Sequence, residues 1–167
     1  DSEAFENFKS ATENQGLEIS APPVGDSIAI GDAVVEFLGP IREYSDTNNS
    51  SIVVRIIYED TSFLFTGGAE YESELDILES GCTLKSTVLK VAHHGSDSST
   101  SYVWLREIMP QYAVISVGAG NSYGHPSETV LSRLHDAETE IYRTDMHGTV
   151  ICSSDGSSVF FSTEKAY

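Results

Sequence analysis

The sequence predicts a layered α/β fold in a single domain over residues 1–167. β-rich runs separated by turn signals fill the first half of the chain, and strand-like runs alternate with amphipathic helices in the second half. Such alternation builds a sheet with helices packed against it. No internal repeat or low-complexity linker marks a domain boundary, and a hydrophobic content of 40% is enough for a real core.

The first half begins with a predicted helix over 3–15. Four apolar residues recur at helical spacing from Ala4 to Ala11, and Gly16 follows as a stop signal. Two later β-rich runs, SIVVRIIYE and SFLFTG, are separated by a short Asp-Thr spacer, and we expect them to form a hairpin. The strands predicted in this half are 28–30, 33–38, 51–59 and 62–67.

The second half alternates between the two element types. A run such as VLKVA reads as a strand, whereas Val130, Leu131, Leu134 and Ala137 share one face of a helix. The predicted helices are 70–80, 102–109 and 127–137. The predicted strands are 87–92, 112–117, 140–143, 149–152 and 159–161.

The charge of the chain restricts its partners. Nine Lys and Arg stand against 26 Asp and Glu, which gives a net charge of −17. This balance indicates a solvated acidic surface and excludes a broad phosphate-binding face, because non-specific nucleic-acid affinity comes mainly from Lys and Arg. Any nucleic-acid substrate would have to be held by a metal or by a small local site.

Two further features have a limited meaning. Cys82 and Cys152 fit no zinc-binding spacing, and they either pair or remain as two small thiols. Nothing resembles a signal peptide, and no apolar run approaches the roughly 20 residues that span a bilayer. We therefore expect no direct membrane contact from this segment.

Polar residues follow four of the predicted strands. SFLF runs into TGGAE, VLKVA into HHGS, AVISVG into AGNSYGHP, and EIYRT into DMHG. Turns favour Gly, Asn and Asp in any protein, but four such endings in succession exceed what turn chemistry requires. Ligands of open α/β sheets bind in the crevice outside the carboxyl ends of the strands. These endings therefore predict a site at that edge.

His93 and His94 form the most informative of these endings. Neighbouring strand residues point to opposite faces, so both side chains reach one ligand only if the chain turns. Gly95 permits such a turn. One interpretation is that one histidine is buried and hydrogen-bonded and that the other is exposed. We favour a metal or catalytic role, because neutral imidazole is the commonest side-chain metal ligand.

The other histidines give weaker signals. His125 precedes Pro126 at a predicted helix start, where it either helps to hold an anion or has no task. We expect no functional role for His135, on a helix, or for His147, in a turn. A serine hydrolase that uses Ser96 is a poor second reading, because G-x-S-x-G is absent and the nearby hydroxyls read better as a loop and helix cap.

The segments NNSSIVVRIIYEDTSFLFTGGAEYESELDIL, LKSTVLKVAHHGSDSSTSYVWL, PQYAVISVGAGNSYGHPSETVLSRL and EIYRTDMHGTVICSSDG occur in this order between Gly25 and Gly156. Together they resemble the distal, C-terminal half of a metallo-β-lactamase-fold hydrolase, and most of all the hydrolase domain of ComEC-type DNA-uptake proteins. The resemblance implies an αββα sandwich with a zinc or manganese site between two sheets. It also implies a nuclease-like phosphodiesterase acting in competence, outside the membrane to which its parent protein is attached.

The resemblance also implies roles for individual residues. His94 matches the late metal-ligand histidine of the family, with His93 as the second choice. His125 matches an active-site histidine that contacts the scissile phosphate or leaving group, and Asp145 matches a position near the same crevice. Asn49 and Ser51 match a polar patch that lines the site. We add Ser96 as a candidate substrate-binding residue.

Two departures from the family pattern weaken the predicted site. The family has Gly-Asp-Ala-Glu where this chain has Gly67-Gly68-Ala69-Glu70, so Gly68 stands at a metal-bridging aspartate position and cannot act as a ligand. The principal His-x-[His/Asp]-x-Asp-His loop of the family does not occur in the chain. We therefore expect weak or no metal binding and little activity from these residues alone.

These observations leave two alternative functions and predict that the chain associates with another molecule. The chain is either part of a metal-dependent hydrolase or a non-catalytic binding or scaffolding module of the same fold. An unrelated α/β binding domain ranks last, because four segments match in order. A single sheet with helices on one face leaves an apolar face exposed. We therefore expect a dimer, or pairing with the missing N-terminal half of the domain.

Overall fold

Seven strands form one sheet in the computed structural model, which describes residues 2–166. Their order in the sheet is their order in the sequence. The first four pair antiparallel and the last four pair parallel, with the fourth strand shared between both parts. The strands are β1 (Ser27–Ile30), β2 (Ala33–Gly39), β3 (Val53–Tyr58), β4 (Thr61–Phe65), β5 (Val88–Lys90), β6 (Tyr112–Ile115) and β7 (Glu140–Arg143).

Each parallel connection contains a helix. These helices have a polar side-chain cap where the sequence supplies one: Ser101 accepts a hydrogen bond from the amide of Trp104, and Ser127 accepts one from the amide of Val130. Two neighbouring parallel strands need a crossover connection, usually a helix, that returns the chain to the starting edge of the sheet. The helices are α1 (Glu3–Asn14), α2 (Tyr71–Glu79), α3 (Tyr102–Ile108), α4 (Glu128–Asp136) and the short α5 (Thr144–His147).

The core lies between the parallel strands and helices α2, α3 and α4. Leu64, Leu89 and Ala113 occupy one row across β4, β5 and β6, and each is fully buried. They belong to one apolar cluster with helix residues such as Trp104 and Leu134. Burial of this row and of the helix residues packed on it stabilises this side of the sheet.

The opposite face of the sheet is covered in part by a separate hairpin. Strands β8 (Val150–Ser154) and β9 (Val159–Thr163) pair antiparallel, and the ring of Phe161 stacks on Tyr142 with ring centres 4.1 Å apart. Beyond this hairpin the face carries exposed apolar side chains. Ile28 and Ile30 on β1 are 49% and 61% exposed, and Phe65 is 41% exposed.

The predicted elements agree with this architecture, with three corrections. The strand expected over 87–92 ends at Lys90, because the chain enters a 3-10 turn at Ala92–Gly95. The turn expected around His147 is the helix α5, in which His147 is buried and accepts a hydrogen bond from the amide of Arg143. The cap of α3 is Ser101 and none of the hydroxyls between 96 and 100.

Two further observations bear on the sequence expectations. Cys82 and Cys152 are both free thiols, and burial raises the pKa of Cys152 to about 11. None of the helices within residues 2–166 combines the length and the apolar character needed to cross a membrane.

Candidate active site

The carboxyl ends of the parallel strands meet around one cavity of about 750 Å³. Since β4, β5 and β6 run in the same direction, the segments that follow them leave the sheet at the same edge. The residues predicted from the strand ends therefore come together from three separate loops. Six of the lining residues matter for the chemistry: Ser51, Gly68, Lys90, His93, His94 and His125.

A left-handed turn places His93 and His94 on the same cavity. Their φ angles are +45° and +56°, a region that residues other than glycine rarely adopt. A continued strand would have sent the two rings to opposite faces. Gly95 completes the turn with a φ of +86°, and a β-carbon there would meet Pro126 at 2.6 Å. Glycine at position 95 is thus required by the close approach of two loops.

Both imidazoles are held through the same ring nitrogen. Nδ1 of His93 lies 3.0 Å from Oε1 of Glu70, and Nδ1 of His94 lies 2.6 Å from the carbonyl oxygen of Ser116. Because a carboxylate and a carbonyl are acceptors, Nδ1 donates in each pair. Nε2 is then the unprotonated nitrogen of each neutral ring, which is the tautomer that binds a metal ion through Nε2.

Glu70 is a positioning residue that the sequence did not reveal. Its Oε1 accepts from His93, from the hydroxyl of Ser98 at 2.8 Å and from the side-chain amide of Asn48 at 3.3 Å. The carboxylate thus ties the histidine turn to two other loops. The signal in the sequence is its place in the Gly67-Gly68-Ala69-Glu70 stretch, which by itself gives the carboxylate no role.

His125 reaches the cavity from the loop before α4. Its ring centre lies 5.8 Å from that of His93, edge to face, and it stacks against Tyr123 at 5.9 Å. Asn121 fixes this loop, because its side-chain oxygen accepts from the amides of Tyr123 and His125. The third predicted histidine therefore joins the first two.

The predicted polar patch separates into a lining residue and a buried one. Ser51 lines the cavity, and its hydroxyl accepts a hydrogen bond from the amide of Gly68 at 2.9 Å. Asn49 is 3% exposed, and its side-chain oxygen accepts from the amides of Glu70 and Ser73. The structure therefore gives Asn49 a structural contact at the start of α2.

Ser96 and Asp145 lie outside the residues that line the cavity. Ser96 is buried, and its hydroxyl lies 2.9 Å from that of Ser98. Asp145 forms two hydrogen bonds with the guanidinium of Arg143, and these lower the pKa of the Asp145 carboxyl. The structure does not bring either residue to the three histidines.

Gly68 leaves a gap where a carboxylate could stand. A β-carbon at this position would lie 3.2 Å from Oδ1 of Asn48 and 3.3 Å from Oγ of Ser51, so a side chain requires only small adjustments of two side chains. Its φ is outside the left-handed region, so other residues can adopt this backbone. The absence of a side chain here is therefore not imposed by the fold.

The described residues do not fit a complete metal centre. No group of three or more His, Cys, Asp or Glu within residues 2–166 is arranged to hold a metal ion. His93 and His94 supply two well-oriented nitrogens, but a catalytic zinc site normally has three protein ligands and an open position. The implied zinc or manganese ion would need ligands in addition to those that this chain provides.

Comparison with known proteins gives relatives from sequence and a fold from structure. The chain is 34% identical over 146 residues to ComE operon protein 3 of Bacillus subtilis. The aligned region covers 87% of this chain and 19% of that protein. It is 38% identical over 117 residues to competence protein ComA of Neisseria gonorrhoeae, which covers 69% of this chain and 17% of that protein. No family model matches the chain.

The fold has a solved counterpart. The metallo-β-lactamase-fold protein YhfI of Bacillus subtilis superposes with a TM-score of 0.50 and 11% sequence identity, over 95% of this chain and 61% of that one. The chain is a homologue of one segment of the ComEC-type competence proteins, and its fold is that of the metallo-β-lactamases. This ComEC-type segment spans less than a fifth of the length of the two competence proteins compared above.

Proposed function

We propose that this ComEC-type segment is the histidine-bearing part of a metal-dependent hydrolase domain that cleaves phosphodiester bonds of DNA during uptake. The observation that supports it most is the pair of imidazoles fixed through Nδ1 at the end of β5, in the same cavity as His125. The name of one relative, competence protein ComA, refers to competence. Ligands of open α/β sheets bind outside the carboxyl ends of the strands, which is where this cavity lies.

The proposed division of roles follows the geometry. His93 and His94 would hold a zinc or manganese ion through Nε2, and Glu70 would keep His93 in the tautomer that leaves Nε2 unprotonated. His125 approaches from the opposite loop and contacts the scissile phosphate or the leaving group. The remaining ligands come from residues outside this chain, in a parent protein attached to the membrane and acting on its outer side.

The experiment compares the wild-type chain with Gly68→Asp and Gly68→Asn. Aspartate adds a carboxylate beside His93 and His94, whereas asparagine has the same size without the charge. We expect Gly68→Asp to bind manganese or zinc at least about tenfold more tightly than wild type, which corresponds to roughly 1.4 kcal/mol. Plasma mass spectrometry after desalting measures the bound metal, and a fluorescent single-stranded oligonucleotide reports hydrolysis.

The controls separate a metal site from a general charge effect. His94→Ala in the Gly68→Asp background should abolish the gain, whereas His135→Ala, an exposed histidine on α4, should preserve it. Equal metal content in the Asp and Asn variants would contradict the proposed role of this cavity. Tight binding of one equivalent by wild type would contradict the expectation that this chain alone binds metal weakly.

A second candidate function is a non-catalytic binding or scaffolding module with the same fold. Gly68 favours it, because the position accepts a side chain and yet has none. In that case restoring the aspartate leaves metal affinity and hydrolysis unchanged. The same three proteins therefore distinguish the two candidates.

The proposed domain also needs a partner for the uncovered face of its sheet. We propose that this partner is either the remaining part of the domain or a second copy of the chain. The side chains of Ile28, Ile30 and Phe65 are exposed on that face. A partner bound there would remove these apolar side chains from water.

A further inference from the structure

Lys90 lies at the boundary between two cavities. It pairs with Phe65 on β4 and Val114 on β6, one residue after Leu89, which faces the helices. The Lys90 side chain is therefore on the opposite face of the sheet. It lines the histidine cavity of about 750 Å³ and also a smaller cavity of about 230 Å³ beneath the β8–β9 hairpin.

This lysine has no carboxylate partner among residues 2–166. Its Nζ donates one hydrogen bond, to the carbonyl oxygen of Val91 at 3.0 Å. The other three lysines are exposed to water, and Lys90 is half-buried. Burial lowers the pKa of Lys90 without a compensating charge. A cation removed from water with a single carbonyl contact is costly unless something else pairs with it.

The histidine cavity has an unusual charge for this protein. None of the twelve described residues that line it is acidic, although the chain contains 26 Asp and Glu. Lys90 and three histidines therefore face a space with no carboxylate in its lining, and the nearby Glu70 carboxylate is bonded to Nδ1 of His93. An anion placed there gains a charge-assisted hydrogen bond from Lys90.

We infer that Lys90 binds a phosphoryl oxygen of the ligand in the histidine cavity and is a substrate-binding residue of the site. The substrate class, a phosphodiester, rests on the proposed function. The anion site itself rests on the unpaired cation and on a lining without acidic residues. In a chain with a net charge of −17, this local cation replaces the basic surface that the sequence lacks.

The test is a titration followed by nuclear magnetic resonance, with two probes. Inorganic phosphate reports an anion site, and the dinucleotide thymidylyl-thymidine reports recognition of a phosphodiester. The proteins are wild type, Lys90→Met, Lys90→Arg and the control Lys85→Met, which removes an exposed lysine near the other end of β5. Lys90→Met should raise the dissociation constant for both probes about tenfold or more. Lys90→Arg and Lys85→Met should stay within about threefold of wild type.

A readout on the wild-type chain does not depend on whether a variant folds. With ¹³C-labelled lysine, the ε-carbon resonance of Lys90 should shift when phosphate is added, and those of the three exposed lysines should not. Lys90→Met should also unfold at a higher temperature than wild type, because it removes an uncompensated buried charge. A structural role would instead lower that temperature.

The outcomes separate this inference from the proposed function. Binding of phosphate but not of thymidylyl-thymidine, with loss in Lys90→Met, would keep the anion site and contradict a phosphodiester substrate. Unchanged affinity in Lys90→Met, or no shift of the Lys90 resonance, would overturn the inference. Loss of affinity in Lys85→Met to the same extent would also overturn it, by showing a general charge effect.

Discussion

The two faces of the seven-stranded sheet differ in how they are closed. On one face Leu64, Leu89 and Ala113 are fully buried beneath three helices of the same chain. On the other face the β8–β9 hairpin covers part of the strands, and Phe65 and Ile28 remain 41% and 49% exposed. Helices of this chain cover the first face, whereas part of the second face is accessible to another molecule.

This difference assigns separate tasks to the two faces. The helix-covered face supplies the free energy of folding, because its apolar row is removed from water. The open face carries Phe65 and Lys90, both of which line the histidine cavity. The proposed ligand and the proposed partner would therefore both bind on the face that is less buried.

The largest expected effect is a truncation in the helix-covered core. Leu89→Ala should lower the free energy of unfolding by about 2–5 kcal/mol, because it leaves a cavity among fully buried neighbours. Phe65→Ala on the open face should lower it by about 1 kcal/mol or less, because the ring is already partly in water. Chemical denaturation followed by circular dichroism measures both.

The control for this comparison is Leu89→Met, which keeps the volume and should cost less than about 1.5 kcal/mol. Equal losses in Leu89→Ala and Phe65→Ala would mean that the open face is already covered in solution. That result would remove the distinction between the two faces.

A smaller effect is expected at Glu74, a fully buried carboxylate on the helix-covered side. It accepts hydrogen bonds from the amides of Thr100 and Ser101, which joins α2 to the start of α3. Glu74→Gln replaces one acceptor oxygen by a donor, so one buried amide loses its partner. We expect a loss of about 1–3 kcal/mol in the free energy of unfolding.

The pH dependence of this loss has a definite sign. Burial raises the pKa of the Glu74 carboxyl above its usual value of 4.5. The native state therefore holds the proton more tightly than the unfolded state, and the associated stability is present below pH 4.5 and lost as the pH rises through the raised value. The difference between wild type and Glu74→Gln should grow as the pH falls toward 4.5. A difference that shrinks on acidification would contradict the burial effect.

The smallest effect on stability, and a clear effect on association, is expected at the open face. Ile30→Lys places a charge on an exposed position of β1 and should shift any dimer toward monomer without changing the unfolding free energy by more than about 0.5 kcal/mol. Light scattering over a range of concentrations measures the mass. Met109→Lys, at an exposed position after α3, is the matched control. A monomeric wild type at every concentration would count against self-association.

Most of the fold could be predicted because hydrophobic periodicity is local. The β-branched run VVRIIY predicts a strand, and the helical spacing around Leu131 predicts a helix and its buried face. The 3-10 turn at Ala92–Gly95 could not be predicted in the same way. Left-handed φ angles at two histidines depend on Pro126 and Glu70, which are distant in sequence.

The candidate site was predicted where residue type alone was informative. The strand endings predicted a common crevice for His93, His94 and His125, and all three line one cavity. Ser51, expected there only from the family resemblance, lines the same cavity. Lys90 was not predicted, because a lysine within an apolar strand gives no sign of whether its amine has a partner. That information belongs to the tertiary packing.

The acidic surface has a consequence for how quickly a nucleic acid could arrive. If DNA is the substrate, a chain with a net charge of −17 repels it over the Debye length, about 10 Å at 0.1 M salt. Added salt weakens that long-range repulsion before it weakens the short contact at Lys90. Capture should therefore become faster with moderate ionic strength, whereas a protein with a basic surface releases DNA as salt increases. Retention of the substrate would then depend on the short contacts in this cavity and not on the charge of the surface.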